Sequence, residues 1–541
     1  MFMLHAIRQY DGDKMMWPLT KKNLATFRQT AVFEEANERD RISKLPNDIL
    51  VNILDRLDFR DVTRTSVLSR RWSQLPANLS RLRISARNFL SPQTSIPDDE
   101  LDEKLLRINA LLRINAVNAA NAAVVKATKS MLAHRDPGGC TIRLLSTTFY
   151  LRGWAVAQRM HTVGNAIATL KVEKAEFTVL TQQKGRERSI DEMVKFGTRF
   201  VSFFNECHNA FAGLTRLYLE NLRFRESDFV SNILVTCKQL SYLGFFNCDT
   251  EDWITLRVEH AQLSELSIVD CRFDMVELTW VPKLTWLAFL FWLSAAELPL
   301  ALGYVPLLGT PSITNRARFR QKVLKLSDFL GKTTISDLNL NFLCEKIWVK
   351  PEEPNQLLQV FHKLRHVTLT HISEECDLNW TMFILQGAPS LHELCIKVWD
   401  HLCEMTVDEQ ERTKYGFSNE QKDAHVLWKA PSSSDFKHHN LSMLRVFGFQ
   451  CEAEIVNCIK SVMKTSAALE DVYMYEKPMC EYCKHTAWKR IFLRRNSQPA
   501  CEHIGHGSQF ACKDSFAGFA LLWLNFAMSS EGLGKSIHTP F

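Results

Sequence analysis

Cysteine and histidine gather near the end of the chain at spacings a metal ion can use. Cys480-x-x-Cys483 and His485 are followed by Cys501, His503 and His506. Thiolate and imidazole ligands in that order fall within the loose range of zinc ribbons. The stretch around 500–515 has no turn pattern typical of a zinc knuckle. Cys480, Cys483, Cys501 and His503 are therefore the candidate ligands, but no metal site is expected and the sequence calls for no cofactor. No Gly-rich phosphate loop, Ser-His-Asp ordering or His-Glu-x-x-His pair is present. His438-His439 lies in a polar stretch and reads as solvated. The expectation is a protein without an active site of its own.

The elements that would position any site come from a larger scale. A chain of 541 residues exceeds one ordinary core and implies several domains or one elongated array. Hydrophobic residues are 46% and charged residues 23%, an ordinary globular balance that excludes global disorder. Phe occurs 34 times against 9 Tyr, which favours stacked apolar layers. Fifteen cysteines without a secretory signal read as free thiols in a reducing compartment, cytoplasm or nucleus.

Leu284–Gly309 is long and apolar enough to suggest a membrane span, but Glu297 sits within it and Pro299 and Pro306 interrupt it. It reads as buried strands and turns, so no membrane is expected. Phe516–Met528 is too short to span and reads as a terminal helix.

From about residue 140 a six-residue frame recurs: apolar, two variable, apolar, one variable, apolar. Copies start at Ile167, Leu214, Leu240, Leu263, Leu284, Ile335, Leu364, Leu391, Leu444 and Leu469. From 214 the steps are 26, 23, 21, 51, 29, 27, 53 and 25 residues, and the two long ones are about two periods. This is the leucine-rich-repeat signature. Cys248 and Cys271 fall three residues after the third apolar position, where a small polar side chain can bond the backbone as the chain leaves the strand. One such unit cannot bury its apolar face alone, so neighbours stack into a curved parallel sheet suited to protein recognition. The gaps near 310 and 420 imply degenerate repeats or insertions, and the polar residues 402–440 an irregular loop.

Residues 39–90 are different. Eleven basic side chains face five acidic ones there, a local excess of six that equals the net charge of the whole chain. An acidic protein surface is the natural partner, and nucleic acid is not expected because no stacking aromatics accompany the charges. Pro46, Asn47 and Asp48 can open a helix, and Ile49, Leu50, Ile53, Leu54 and Leu57 form one broad apolar stripe on it. Asp61 can begin a second helix with Val62, Thr65, Val67 and Leu68, and a third runs from Ser69 through Trp72 to Leu75. Three short helices carry more apolar side chains than they can bury among themselves, which implies a partner.

The run LPNDILVNILDRLDFRDVTRTSVLSRRW resembles the F-box, in the form seen in plant F-box proteins with leucine-rich repeats (F-box/LRR, FBD-like). The positions that carry the likeness are Leu45-Pro46, Asp48, Ile49-Leu50, Ile53-Leu54, Arg64-Thr65-Ser66, Leu68-Ser69-Arg70 and Trp72. Asp58-Phe59 stands where the family usually has Leu/Pro-Pro, and Gln74-Leu75-Pro76 replaces Arg-x-Leu-Trp. The resemblance implies a substrate-recognition subunit of an SCF-type cullin-RING ubiquitin ligase, bound through a Skp-family adaptor and presenting a target protein. The adaptor contacts it implies are Leu45, Pro46, Ile49, Ile53, Leu54, Val62, Val67, Leu68 and Trp72, with Arg70 and Arg71 on an acidic surface. Some of these apolar residues pack internally instead, Trp72 first among them.

The expected fold is α/β: a three-helix F-box module, then an irregular leucine-rich-repeat solenoid. The expected division is 1–38 extension, 39–85 F-box, 86–139 linker and helix, 140–480 repeats and 481–541 tail. A repeat protein that scaffolds without recruiting a ligase is the alternative, distinguished only by whether residues 40–75 bind the adaptor.

Overall fold

The computed structural model describes residues 42, 44–90, 103–133, 135, 141–151, 172–181, 189–226, 228–292, 298–315, 324–331, 333–342, 347–372, 376, 378–398, 436–449, 453–476 and 490–494. The chain divides into two compact units, one ending at Leu79 and one beginning at Ser80.

The first unit holds three helices, Asn47–Leu54, Phe59–Thr65 and Arg70–Gln74, and a 3-10 turn at Leu75–Asn78. Pro46 precedes the first helix in an extended conformation, as its fixed φ and missing N–H favour. Asp58 starts the second helix by accepting the Asp61 N–H at 2.9 Å. Ser69 starts the third by accepting the Trp72 N–H at 3.3 Å. Both are ordinary side-chain caps. Asp58-Phe59, unusual for the family, thus keeps the turn by capping, while Phe59 is buried.

The second unit is built on a 14-stranded sheet. Its strands are β1 (Arg81–Ser85), β2 (Leu144–Tyr150), β3 (Ala175–Leu180), β4 (Leu214–Glu220), β6 (Tyr242–Phe246), β9 (Glu265–Val269), β11 (Trp286–Trp292) and β13 (Thr310–Asn315). It continues with β14 (Asp337–Asn341), β15 (His366–Ile372), β16 (Glu393–Val398), β17 (Met443–Phe449), β18 (Asp471–Glu476) and β19 (Arg490–Arg494). All neighbours pair in parallel except β18 with β19. This is a leucine-rich-repeat, solenoid-like arrangement, in which each turn supplies one strand.

Strand register tests the frame directly. Leu217 lies opposite Leu243, Leu243 opposite Leu266, and Leu266 opposite Leu287. Leu338, Val367 and Leu394 continue the column, which ends at Val472. The gap near 310 holds a degenerate repeat: Leu308 just before β13 and Pro311 and Ile313 within it stand in frame, with Pro311 opposite Leu287. The gap near 420 holds an insertion, because β16 pairs directly with β17.

Two copies differ from the expectation. Leu394 pairs with Leu444 and Ile396 with Val446, so that copy is Leu441/Leu444/Val446, not Leu444/Phe447/Phe449. The apolar Phe447 and Phe449 imitate the frame three residues late. In the first copy Ile167 and Leu170 lie outside the described residues, and Val172 forms only an isolated bridge with Ile142. The strand begins at Ala175.

The sections returning between strands come in two kinds. β5 (Arg223–Phe224), β7 (Asp249–Thr250), β8 (Thr255–Glu259), β10 (Met275–Trp280) and β12 (Leu300–Tyr304) are extended; β5 pairs with β7, and β8, β10 and β12 form their own parallel sheet. Elsewhere helices return, as at Phe229–Thr236, Leu326–Leu330, Pro354–Phe361, Met382–Gly387 and Ala453–Thr465. Extended returns accompany the repeats of 21–24 residues and helical returns those of 26–29, because a strand covers ~3.3 Å per residue and a helix ~1.5 Å. Within the apolar stretch 284–309 the described residues hold β11 and β12. Among the described residues no helix is long and apolar enough to cross a membrane.

The core lies between the sheet and these returns. Phe149, Phe177, Phe200, Phe203 and Phe211 are fully buried, most of them edge to face, with centroids 5.2–5.8 Å apart for Phe149–Phe177, Phe149–Phe203, Phe177–Phe211 and Phe203–Phe211. At the start of the sheet a helix spans Glu103–Ala133. Its Asn121 is buried for a reason the sequence hides. Nδ2 donates to the Tyr150 carbonyl at 2.8 Å, and the Tyr150 N–H donates to Oδ1 at 3.0 Å, closing the end of β2.

Candidate functional site

Two surfaces are candidates, one in each unit. In the first, the structure separates the expected adaptor contacts into inner and outer residues. Leu54, Val62 and Trp72 are buried, whereas Ile49 is 44% exposed, Val67 83% and Leu68 66%. Pro46 and Arg70 are also exposed, and Leu45 and Ile53 half-buried. Arg71 works inside the unit: Nε donates to Asn47 Oδ1 at 2.8 Å and Nη2 to the Leu45 carbonyl. It ties the chain entering the first helix to the third. Water gains nothing from two adjacent aliphatic side chains held open at Val67 and Leu68, so this is an apolar patch in want of a cover.

In the second unit, alternate strand residues point away from the core and form an open face. Its middle carries Tyr242, Trp286, Phe246, Val269 and Leu290 around the small residues Gly244, Ser267 and Ala288. Arg216 stacks on Tyr242, with the guanidinium carbon 3.3 Å from the ring centre, and reaches Glu265 at 3.6 Å. Farther along, Glu393 holds Arg445 at 3.0 Å and Phe447 stacks on Tyr475.

Where strands end, Asn221, Asn247, Asp270, Phe291 and His371 all have φ between 48° and 57°. They share one repeat position, two after the third apolar residue. Asn and Asp tolerate this left-handed turn; Phe and His pay for it. Asn247 Nδ2 donates to Asn221 Oδ1 at 2.6 Å, and Asn221 Nδ2 donates to Thr181 Oγ1 at 2.6 Å. Cys248 and Cys271 follow, as the spacing predicts. Cys248 Sγ donates to the Phe246 carbonyl at 3.4 Å, and Cys271 Sγ accepts the Cys248 N–H at 3.5 Å. Burial pushes the Cys271 thiol up to about 12, and those of Cys207 and Cys237 equally. These thiols stay protonated at neutral pH and pack rather than react.

His438 corrects the expectation of a solvated residue. It is buried; Nε2 meets the Ala388 carbonyl at 2.9 Å, and Nδ1 accepts the Leu441 N–H at 2.9 Å. His260 does the same with the Cys237 carbonyl and the Gln262 N–H. Each stands three residues before the first apolar residue of its repeat and pins it to the previous one. Among the described residues no cluster of His, Cys, Asp and Glu could hold a metal. Cys480, Cys483, Cys501 and His503 lie outside them, as do most of 402–440 and all of 516–528.

The F-box domain family matches residues 42–83. An F-box/FBD/LRR-repeat protein of Arabidopsis thaliana is 24% identical over 250 residues, 44% of this chain and 49% of its own length. A second is 22% identical over 378 residues, 66% of this chain and 77% of its own. A further F-box protein of that plant is 50% identical over 42 residues, 8% of this chain and 9% of its own. The chain thus spans about half the length of the first relative and about three quarters of the second. A helical unit and a parallel repeat sheet are the features this chain has in common with what these plant F-box/LRR-repeat relatives are named for. This chain carries an F-box at residues 42–83, and its homologues are F-box/FBD/LRR-repeat proteins of Arabidopsis.

Proposed function

We propose that the chain is the substrate-recognition subunit of an SCF-type cullin-RING ubiquitin ligase, acting in cytoplasm or nucleus. The F-box docks on a Skp-family adaptor, and the open face of the repeats holds a target protein. Partners carry out the ubiquitin chemistry; this chain supplies proximity. The observation that carries the reading is the exposed pair Val67–Leu68 within a matched F-box. Pro46, Ile49 and the half-buried Leu45 and Ile53 are the further apolar residues offered to the adaptor. Leu54, Val62 and Trp72 are buried within the unit.

The test is a pull-down with a purified Skp-family adaptor. Val67→Asp/Leu68→Asp should keep the far-ultraviolet dichroism of the wild type and lose adaptor binding by at least about tenfold. If the folded wild type binds no adaptor, the chain is a repeat scaffold without a ligase. Imaging of a fluorescent fusion tests the compartment; exclusive membrane or secretory signal would sink that part.

A further inference from the structure

One row of the open face crosses five strands, from β14 to β18: Asn341, Thr370 with His371, Lys397, Phe447 and Tyr475. Phe447 and Tyr475 stack with centroids 4.2 Å apart and rings 3° from parallel. Lys397 is exposed, with Nζ 5.4 Å from the centre of the Phe447 ring. No described carboxylate forms an ion pair with it, whereas the neighbouring Arg445 is held by Glu393. His371 sits at the left-handed bulge, φ 52°, and its buried Nδ1 has no hydrogen-bond partner among the described residues. Burial first, and then the charge of Lys397, lower its pKa, so the ring stays neutral and carries one N–H. The exposed Lys397 ammonium, beside a half-buried neutral imidazole and an aromatic pair, leaves on this edge a positive charge that no described carboxylate answers.

Together they describe what is missing. A carboxylate would pair with the ammonium, and an apolar group beside it would pack against the edges of the aromatic pair. A phosphate fits the charge less well, because its usual partner is a guanidinium fork and the one nearby is engaged. We propose that Lys397, bordered by His371, Phe447 and Tyr475, forms the subsite for an acidic side chain of the target, with its apolar neighbour packed against the edges of Phe447 and Tyr475. This rests on the reading of the open face as the target-binding surface, and narrows the target to segments in which Asp or Glu adjoins an apolar residue.

The experiment is selection of phage-displayed random peptides on the full wild-type chain and, in parallel, on Lys397→Glu. The wild type should enrich Asp or Glu next to an apolar residue. Lys397→Glu should lose that preference and gain Lys or Arg at the same place. An enriched peptide should bind Lys397→Gln about tenfold more weakly than wild type. This milder variant decides the matter if the charge reversal disturbs folding. No enrichment on the wild type, or equal acidic enrichment on both chains, overturns the proposal. The adaptor pull-down on the same preparation separates the two readings. Peptide selection without adaptor binding refutes only the ligase reading, and adaptor binding without acidic selection refutes only this one.

Discussion

Asp249 shows what one residue can cost. It is 2% exposed, with Arg223 Nε 3.5 Å from Oδ1, near enough for attraction but without a hydrogen bond. Burial outweighs the guanidinium groups of Arg223 and Arg272 and pushes its pKa from 3.8 to about 6. The folded state therefore holds this proton more tightly than the unfolded chain does. Its contribution is fully present below the unfolded value and is lost as pH rises through about 6. Asp249→Asn mimics the protonated form. It should stabilise the repeat unit at pH 7.5 by about 2 kcal/mol and change little at pH below the unfolded value. Chemical denaturation at both pH values checks this; equal shifts at both would show that the carboxylate is not titrating as described.

At the scale of the element, the sheet was legible wherever a repeat kept aliphatic residues at all three inward positions, as Leu214, Leu217 and Leu219 do. It was illegible where chemistry departed from that alphabet. Pro311 hid one strand, Thr147 stands inward in β2 beside Phe177, and Phe447 shifted another frame by three. The F-box was legible because its contacts lie in one contiguous run. The open face was not, because Lys397 and Phe447 are neighbours across a strand pair yet 50 residues apart in sequence. Nor does any residue pattern announce a left-handed histidine. The equivalent bulge in β17 uses Gly448, at φ 76°, where an added Cβ would come within 2.0 Å of the Val398 carbonyl oxygen. Gly448→Ala should cost more than the ~1–2 kcal/mol of the dihedral alone, because the strands must also part. A denaturation midpoint unchanged from wild type would contradict this.

At the scale of the whole molecule, the charge excess is concentrated in the segment that carries the F-box, and Arg60, Arg64 and Arg70 are exposed there. Exposed charges speed encounter more than they hold a complex. The association rate with the adaptor should therefore fall by about an order of magnitude between low and physiological salt, with the dissociation rate nearly constant. Stopped-flow measurements resolve the two, and a salt effect confined to dissociation would place those arginines inside the contact.

The two kinds of return section make two kinds of building block. A block that returns as a strand is as thick at its back as at its front, because both sides follow the same spacing of about 4.8 Å. A block that returns as a helix is a wedge, since packed helices need 8–10 Å. The slabs around β8, β10 and β12 lie together, with wedges on either side. Adding a slab would lengthen the open face without turning it, and adding a wedge would turn it. How far this protein reaches and where it points can therefore be altered separately.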